Sequence, residues 1–244
     1  MAHTGTKAVI KASTAISIGF HQLSSRFPEP LECLTAHLLL ESSEVLGGVK
    51  PANLVSLVNR IRPCGRNLYQ LWQAHYDEII TRLTGICFKV LQTRESALLL
   101  FCYNPDHLER HLAHHGIRCL LKKAGYDTSL SSEALLAELC RRIGNSDSFP
   151  HEIGLFIGYP AKDVAAFMGI VKLPFACQGP WKIYGNPTQS LCLADVHRSS
   201  RAAMGNQLTE CNSPFDCLEK VSDRKTHFFH TTTDKDFQFH GVCL

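Results

Sequence analysis

The sequence has few charged residues and little net charge. Charged side chains make up 19% of its 244 residues and hydrophobic ones 45%, and the formal net charge is +3. A disordered chain would be poor in apolar residues and rich in net charge, so this composition indicates a folded protein. A charge of +3, with only short basic runs that lack interleaved aromatics, gives no support to nucleic-acid binding, and we expect no nucleic-acid partner.

Long apolar runs are absent as well. No stretch approaches about 18 uninterrupted apolar residues, so no transmembrane helix is predicted and we expect no membrane partner. The first 28 residues carry Lys7, Lys11 and Arg26 but no acid, and they are rich in Ser, Thr and Ala. Lys11 and the Ser and Thr residues interrupt the apolar run that a secretory signal requires. A transit-type peptide and a loosely ordered extension fit the composition equally well, and we adopt the second interpretation.

Closely spaced cysteine pairs are missing, although the sequence contains 11 cysteines and 13 histidines. Structural zinc sites usually take two thiolates from one tight turn, whereas the closest pair here is Cys211 and Cys217. An odd number of scattered cysteines is also atypical of a disulfide framework. We therefore expect reduced, mostly buried thiols in a cytoplasmic protein.

The spacing of apolar residues predicts mostly helices. Helical periodicity is present from residue 30, over 68–83, over 105–123, after Ser131 and over 188–204, and Pro51 at a first-turn position predicts a further short helix. Residues 86–91 alternate, and the run Ala97–Tyr103 is continuously apolar, which predicts a β-hairpin whose second strand is covered on both faces.

These elements favour an α+β fold, a mostly helical single domain with a central β-hairpin covered by helices. We expect a loosely ordered N-terminal extension over residues 1–29, one α+β domain over 30–205, and a peripheral C-terminal tail over 206–244, because the two ends show no sustained periodicity.

Several short blocks carry a resemblance to a known family. They are residues 45–54 (VLGGVKPANL), 64–68 (CGRNL), 108–112 (LERHL), 124–126 (AGY), 149–160 (FPHEIGLFIGYP) and 179–185 (GPWKIYG). At these blocks the chain resembles the domain-of-unknown-function family 3793, small proteins found mostly in anaerobic bacteria. The resemblance covers about residues 30–205 and implies an uncharacterised bacterial, cytoplasmic protein, and it supplies no reaction.

One block departs from the family pattern. A Cys-Ala-Pro or Cys-Ser-Pro sequence often precedes the Leu-x-Gly-x-Lys block of the family, whereas this chain has Ser42, Ser43 and Glu44 there. Thiol chemistry at that position is therefore not available to this chain.

The block around His151 and Glu152 is the first candidate site. A zinc-protease helix needs a second histidine four residues later, but that position is Leu155. An imidazole beside a carboxylate, near Gly154 and Gly158, instead suggests a polar site at a turn, with His151 as ligand or acid–base group and Glu152 as its partner. The alternative is that one of the two caps the following helical turn.

Cys177 begins the second candidate block, residues 177–185, and precedes Gly179 and Trp181. It is either a partly exposed thiolate or metal ligand, or an inert thiol buried under Trp181. The segment between the two blocks is short enough for them to fold back on each other, so we expect both to build one site. Its candidate residues are His151, Glu152, Gly154, Gly158, Tyr159, Cys177, Trp181, Lys182 and Tyr184, with His151 and Cys177 as the candidate metal ligands.

Two further patterns are weaker. His107, His111 and His114 share one helix face and could bind a metal or haem iron, although a solvated polar face is the commoner explanation. Lys50 after two glycines suggests a phosphate loop, but the spacing of that motif is absent and Pro51 occupies the place of its hydroxyl residue.

Two functional hypotheses follow. The first is a binding or accessory protein in anaerobic metal (iron or haem) or redox metabolism, with a metal or redox protein as partner. It rests on the histidine and cysteine excess and on the anaerobic setting that the resemblance implies. The alternative is an enzyme with a His/Glu/Cys site formed by the two blocks. The sequence leaves the cofactor, the ligand and the oligomeric state open.

Overall fold

A computed structural model describes residues 19–145 and 149–217 of the chain. The elements follow one another in the order α1 (Phe20–Arg26), α2 (Pro30–Glu41), α3 (Ser43–Leu46), β1 (Ala52–Val58), α4 (Leu68–Arg82), β2 (Cys87–Thr93), β3 (Ala97–Tyr103), α5 (Pro105–Ala113), α6 (His115–Lys123), α7 (Ser132–Asn145), α8 (Ile153–Phe156), α9 (Ala161–Phe167), β4 (Phe175–Gln178), β5 (Lys182–Tyr184) and α10 (Thr188–Glu210). The predicted mostly helical α+β architecture is confirmed.

The central element is a three-stranded antiparallel sheet in the order β1-β3-β2. Strand β3 is the middle strand, and its Leu100 lies opposite Val55 of β1 and Val90 of β2. The predicted hairpin is therefore present, and its apolar second strand does not lie at an edge. A continuous apolar run suits this position because both faces of the strand are covered.

Alternate residues of β3 point into two different core clusters. Leu98, Leu100 and Cys102 pack on one face with α1, α2, α4 and the end of α10, whereas Phe101 packs on the other with α5, α6, α7 and α8. The two-residue period of a strand sends neighbouring side chains to opposite faces. Helices thus cover the sheet on both sides.

Strand β1 replaces the short helix that Pro51 predicted. Ala52 to Val58 pair along their full length with β3, and the carbonyl of Pro51 accepts a hydrogen bond from the backbone N–H of Asn104. A proline fits the residue before a strand as well as the first turn of a helix. Pairing with a strand about 40 to 50 positions further along the chain placed Pro51 before a strand rather than in a helix.

The core extends beyond both predicted domain boundaries. Leu23 and Phe27 of the predicted extension are 0% and 1% exposed, and Leu208 and Cys211 of the predicted tail are also buried. Helix α1 contacts the end of α10, because the Arg26 guanidinium donates to the backbone carbonyls of Leu208 and Cys211. The expectation of a loose segment was therefore wrong for residues 20–27. Its remainder, residues 1–18, and the tail from residue 218 lie outside the described residues.

Two local predictions also need correction. The helix expected over 105–123 is broken at His114 into α5 and α6. Cys211 and Cys217 form a disulfide, whereas we expected reduced cysteines throughout. The other cysteines within the described ranges are free. In that part of the chain, no helix is both long and apolar enough to cross a membrane.

Candidate binding cleft

The two candidate-site blocks, residues 149–160 and 177–185, are called the signature blocks below, and they meet through their aromatic residues. The rings of Tyr159 and Trp181 stack with their centroids 4.6 Å apart and an interplanar angle of 28°. Helix α9 lies between the blocks and has only seven residues, so both of its flanks return to one place. Gly154 permits the close packing of α8 on α9, since a Cβ there would lie 2.9 Å from Val164 Cγ2.

An open cleft of about 320 Å³ lies between the blocks. Its wall is mostly apolar and aromatic, as is usual for small-molecule sites. The residues that line it are Phe149, Pro150, His151, Ile153, Gly154, Tyr159, Asp163, Val164, Phe167, Gln178, Pro180, Trp181 and Lys182. We call this the aromatic cleft. Of the candidate residues, His151, Gly154, Tyr159, Trp181 and Lys182 are thus brought to one cavity.

Two nitrogen-bearing side chains lie at one end of the aromatic cleft. The His151 ring contacts the edge of Phe167 with centroids 4.7 Å apart, and the Lys182 ammonium lies 5.2 Å from the centroid of the same ring. Both residues and Phe167 are exposed. A ligand that enters the cleft therefore meets an ammonium group and an imidazole beside an apolar wall.

Asp163 organises the wall of the cleft. Its carboxylate accepts four hydrogen bonds, from the Trp181 indole N–H (2.8 Å), the Ser190 hydroxyl (2.6 Å), the Tyr184 backbone N–H (2.9 Å) and the Lys162 ammonium (2.8 Å). Both carboxylate oxygens therefore accept hydrogen bonds that hold α9, β5 and α10 together. Burial acts to raise the pKa of Asp163, but the bonds from Lys162, Ser190, Tyr184 and Trp181 outweigh it, and the pKa is lowered.

Sequence reasoning missed Asp163. The only indication in the sequence was Trp181, because a buried indole N–H requires a hydrogen-bond acceptor. The sequence does not show which acidic residue provides that acceptor.

Glu152 does not pair with His151, contrary to the prediction. Its carboxylate forms an ion pair with Arg142 at 3.0 Å and accepts a hydrogen bond from the Tyr126 hydroxyl at 3.2 Å. It is buried and absent from the cleft lining. Burial and then the charge of Glu152 raise the pKa of Tyr126, so the phenol stays protonated. Glu152 thus joins the start of α8 to α7 through Arg142.

The remaining candidates also lie outside the cleft lining. Cys177 is half-buried and packs against a small cluster that contains Trp181 and Ile183, so both alternatives for its thiol stay open. Tyr184 contributes its backbone N–H to Asp163 while its ring contacts Phe175. Gly158 has a φ of +79°, and a Cβ there would lie 2.5 Å from Pro51 Cδ. These residues shape the fold around the cleft.

Lys50 and Asn53 form a second polar cluster next to the Tyr159 ring. Lys50 is 4% exposed, its ammonium donates to Asn53 Oδ1 at 2.7 Å, and it lies 5.1 Å from the centroid of the Tyr159 ring. Burial lowers its pKa to about 8, against an opposing effect of Glu44. Burial, followed by the charge of Lys50, lowers the pKa of His197 to about 4. The lysine of the weak phosphate-loop pattern, Lys50, is therefore buried rather than exposed.

The described residues contain no group of three or more His, Cys, Asp or Glu side chains that could hold a metal ion. The predicted histidine face is divided by the break at His114, and the His111 imidazole is bonded to the carbonyl of Leu155 at 2.7 Å. Burial lowers the pKa of His111, which favours the neutral ring. This histidine therefore connects α5 to α8.

Comparison with known proteins agrees with the resemblance seen in the sequence. A family described as "Protein of unknown function (DUF3793)" matches residues 38–218. No curated protein and no solved structure matches the chain.

Proposed function

The chain belongs to this family of proteins of unknown function, and from that premise we propose that it is a binding protein for a small organic anion with a flat apolar body. The observation that carries the proposal is the aromatic cleft, in which the two signature blocks place apolar rings and two nitrogen-bearing side chains around one cavity. Convergence of a few polar groups on an apolar cleft is the usual architecture of a ligand site.

The apolar part of the ligand is inferred from the rings. Tyr159, Trp181 and Phe167 all face the cavity, and such rings favour offset-stacked or edge-on contacts with another flat ring. At about 0.3 kcal/mol per non-hydrogen atom, an aromatic ligand of about 20 atoms binds with a Kd on the order of 10–100 μM.

The anionic part is inferred from the charges around the cleft. Between residues 164 and 194 the sequence has no acidic residue, and its charged side chains there are Lys172 and Lys182. The one carboxylate in the lining, Asp163, already accepts four hydrogen bonds. A negatively charged ligand group thus meets Lys182 and the His151 imidazole without an opposing free acid.

The test uses two flat dyes of opposite charge. The anionic probe is 8-anilinonaphthalene-1-sulfonate and the cationic one is thioflavin T, each titrated against the full chain and followed by dye fluorescence. We expect saturable binding of the anion with a Kd on the order of 10–100 μM and at least about tenfold weaker binding of the cation.

Two variants locate the binding. Lys182→Gln should weaken binding of the anionic dye about fivefold, because it removes the ammonium beside Phe167. Lys172→Gln is the matched control, since Lys172 is an exposed lysine that does not line the cleft. Equal effects of the two substitutions, or equal binding of both dyes, would contradict the proposal.

Within this class, we favour a role as an accessory protein in anaerobic iron, haem or redox metabolism, as the sequence suggested. An iron porphyrin is flat, apolar and carries carboxylates, and its iron accepts an imidazole such as that of His151. A haem titration followed by absorbance should show a shifted band that is lost in His151→Ala and retained in the exposed control His115→Ala. The cytoplasmic location and the anaerobic bacterial source stay predictions from the resemblance.

The alternative of a His/Glu/Cys enzyme is less favoured. It requires three groups in one pocket, and of these three only His151 lines the cleft. Glu152 is held by Arg142, and the half-buried Cys177 packs against the cluster that contains Trp181. We therefore propose binding rather than catalysis for this site.

A further inference from the structure

A histidine and a free cysteine lie side by side on the exposed face of α6. Cys119 Sγ is 3.6 Å from Nε2 and 3.9 Å from Nδ1 of His115, and both side chains are exposed. The two residues are four positions apart, which is the spacing at which side chains of one helix contact each other. Thiolate and imidazole are both metal ligands, so the pair presents two donor atoms to solvent at one place.

The opposite face of α6 fixes the backbone that carries the pair. Ile117 and Leu121 are 2% and 0% exposed, and both pack in the core cluster that contains Phe101 of the sheet. Rotation of the helix would expose these two apolar side chains, which costs free energy. The sulfur and the imidazole are therefore held on the solvent side of α6, close to each other.

The separation of the two donor atoms fits a metal ion between them. Metal–nitrogen and metal–sulfur bonds of about 2.0 and 2.3 Å keep the donors about 3.5 Å apart at a tetrahedral angle and about 4.3 Å apart in a linear arrangement. The 3.6 Å between Cys119 Sγ and His115 Nε2 lies within this range. Because the His115 ring is exposed, it can turn its nitrogen lone pair toward a bound ion.

The charges around the pair select the kind of metal. Between Glu109 and Asp127 the sequence has no acidic residue. Lys122 and Lys123 are exposed and lie three and four positions after Cys119. Within the described ranges, no third His, Cys, Asp or Glu completes a metal-binding group here. A divalent ion such as Zn²⁺ takes four ligands and would leave a positive charge beside two ammonium groups, whereas a monovalent ion bound to one thiolate leaves no net charge.

We propose that His115 and Cys119 form a binding site for Cu(I). This ion is monovalent and soft, it prefers thiolate ligands, and two or three donors complete its coordination. On binding, the Cys119 thiol releases its proton to solvent, the S–Cu bond forms, and the neutral His115 imidazole donates a nitrogen lone pair. No electron is transferred, so the copper stays monovalent. The site is independent of the proposed function, because neither residue lines the aromatic cleft.

The experiment titrates the full chain with Cu(I) in the absence of oxygen, in competition with the chromophoric chelator bicinchoninate. Cys119→Ser and His115→Ala should each weaken binding at least about tenfold, because loss of even an outer-shell partner of a metal ligand costs about 10–100-fold. The matched controls are Cys192→Ser and His21→Ala, which remove an exposed cysteine and an exposed histidine on other helices and should leave the affinity unchanged. An excess of Zn²⁺ over Cu(I) of about tenfold should not displace the copper.

Protection from alkylation locates the bound ion. With one equivalent of Cu(I), iodoacetamide should modify Cys119 at least about fivefold more slowly than in the copper-free protein, because the sulfur lone pairs are engaged by the metal. Cys192 should react at an unchanged rate, and His115→Ala should lose most of the protection of Cys119, as followed by mass spectrometry of the cysteine-containing peptides. Equal protection of both cysteines, full protection in His115→Ala, unchanged affinity in Cys119→Ser, or displacement of the copper by Zn²⁺ would each overturn the proposal.

Discussion

Replacement of Asp163 with alanine is expected to lower the free energy of unfolding by about 4 kcal/mol. The substitution leaves the Trp181 indole N–H and the Ser190 hydroxyl without an acceptor, in residues that are 7% and 0% exposed. Each buried donor without a partner costs about 1–3 kcal/mol. The Tyr184 N–H adds a smaller cost, and the Lys162 ammonium adds little, because its side chain is 28% exposed and can turn to water.

The assay is urea unfolding followed by far-ultraviolet circular dichroism, with the slope m held to the wild-type value. Asp195→Asn is the matched control, since Asp195 lies on α10 in an ion pair with Arg198 and its side chain is 62% exposed. It should change the free energy of unfolding by less than about 0.5 kcal/mol. Ser190→Ala removes one of the four donors and should cost about 1 kcal/mol.

The pH dependence gives a second check on the same carboxylate. Because the pKa of Asp163 is lowered in the folded state, its contribution is fully present above the unfolded aspartate pKa of about 3.9, and it is lost as the pH falls through the lower folded value. The stability difference between wild type and Asp163→Asn should therefore be constant above about pH 5 and shrink below about pH 4. A loss of less than about 1 kcal/mol for Asp163→Ala, or a loss equal to that of Asp195→Asn, would refute this account of the cleft wall.

Three further substitutions or deletions test the surroundings of the cleft and the ends of the fold. Gly158→Ala should destabilise the protein by about 2 kcal/mol or more in urea unfolding, because φ is +79° and the new Cβ would lie 2.5 Å from Pro51 Cδ; unchanged stability would show that this turn is not constrained. Lys50→Met should stabilise the protein by about 1–2 kcal/mol at pH 7. Burial lowers the pKa of Lys50 to about 8, which means that the buried ammonium destabilises the folded state by about 3 kcal/mol, and loss of its hydrogen bond to Asn53 offsets part of the gain. As the pH rises from about 8 to 9.5, Lys50 loses its proton in the folded state but keeps it in the unfolded state, so the free energy of unfolding of the wild type should rise relative to that of the variant. An equal pH dependence of the two proteins would contradict the lowered pKa of Lys50. Deletion of residues 1–28 should cost about 4 kcal/mol through loss of buried Leu23 and Phe27, and a melting temperature within about 2 °C of the wild type would show that α1 contributes nothing.

Much of the fold was predictable because its signals are local. The apolar stripe of α4, the alternation of β2 and the unbroken apolar run of β3 are properties of neighbouring positions, and they indicated the helix and the hairpin correctly. The meeting of the two signature blocks was also expected from the short helix between them. This is why five of the nine candidate residues line one cleft.

Prediction from the sequence was less accurate wherever the same residues were compatible with two local structures. Pro51 is compatible with a helix start or with the residue before a strand, and the pairing of β1 with β3 made it the latter. The segment from Phe20 to Phe27 is too short to show a helical period, yet it is joined to the end of α10 through Arg26.

The sequence by itself determined the family, the mostly helical α+β class, the covered hairpin and the two blocks that form the cleft. Only the tertiary structure decided what the polar side chains in and around those blocks do. His151 and Glu152 are adjacent in the chain, but one lines the cleft while the other is drawn to Arg142. Asp163 became the centre of the wall because Trp181 and Ser190 are buried against it. The physical reason is that a buried polar group must find a partner, and that partner is set by contacts between distant parts of the chain rather than by its neighbours in sequence.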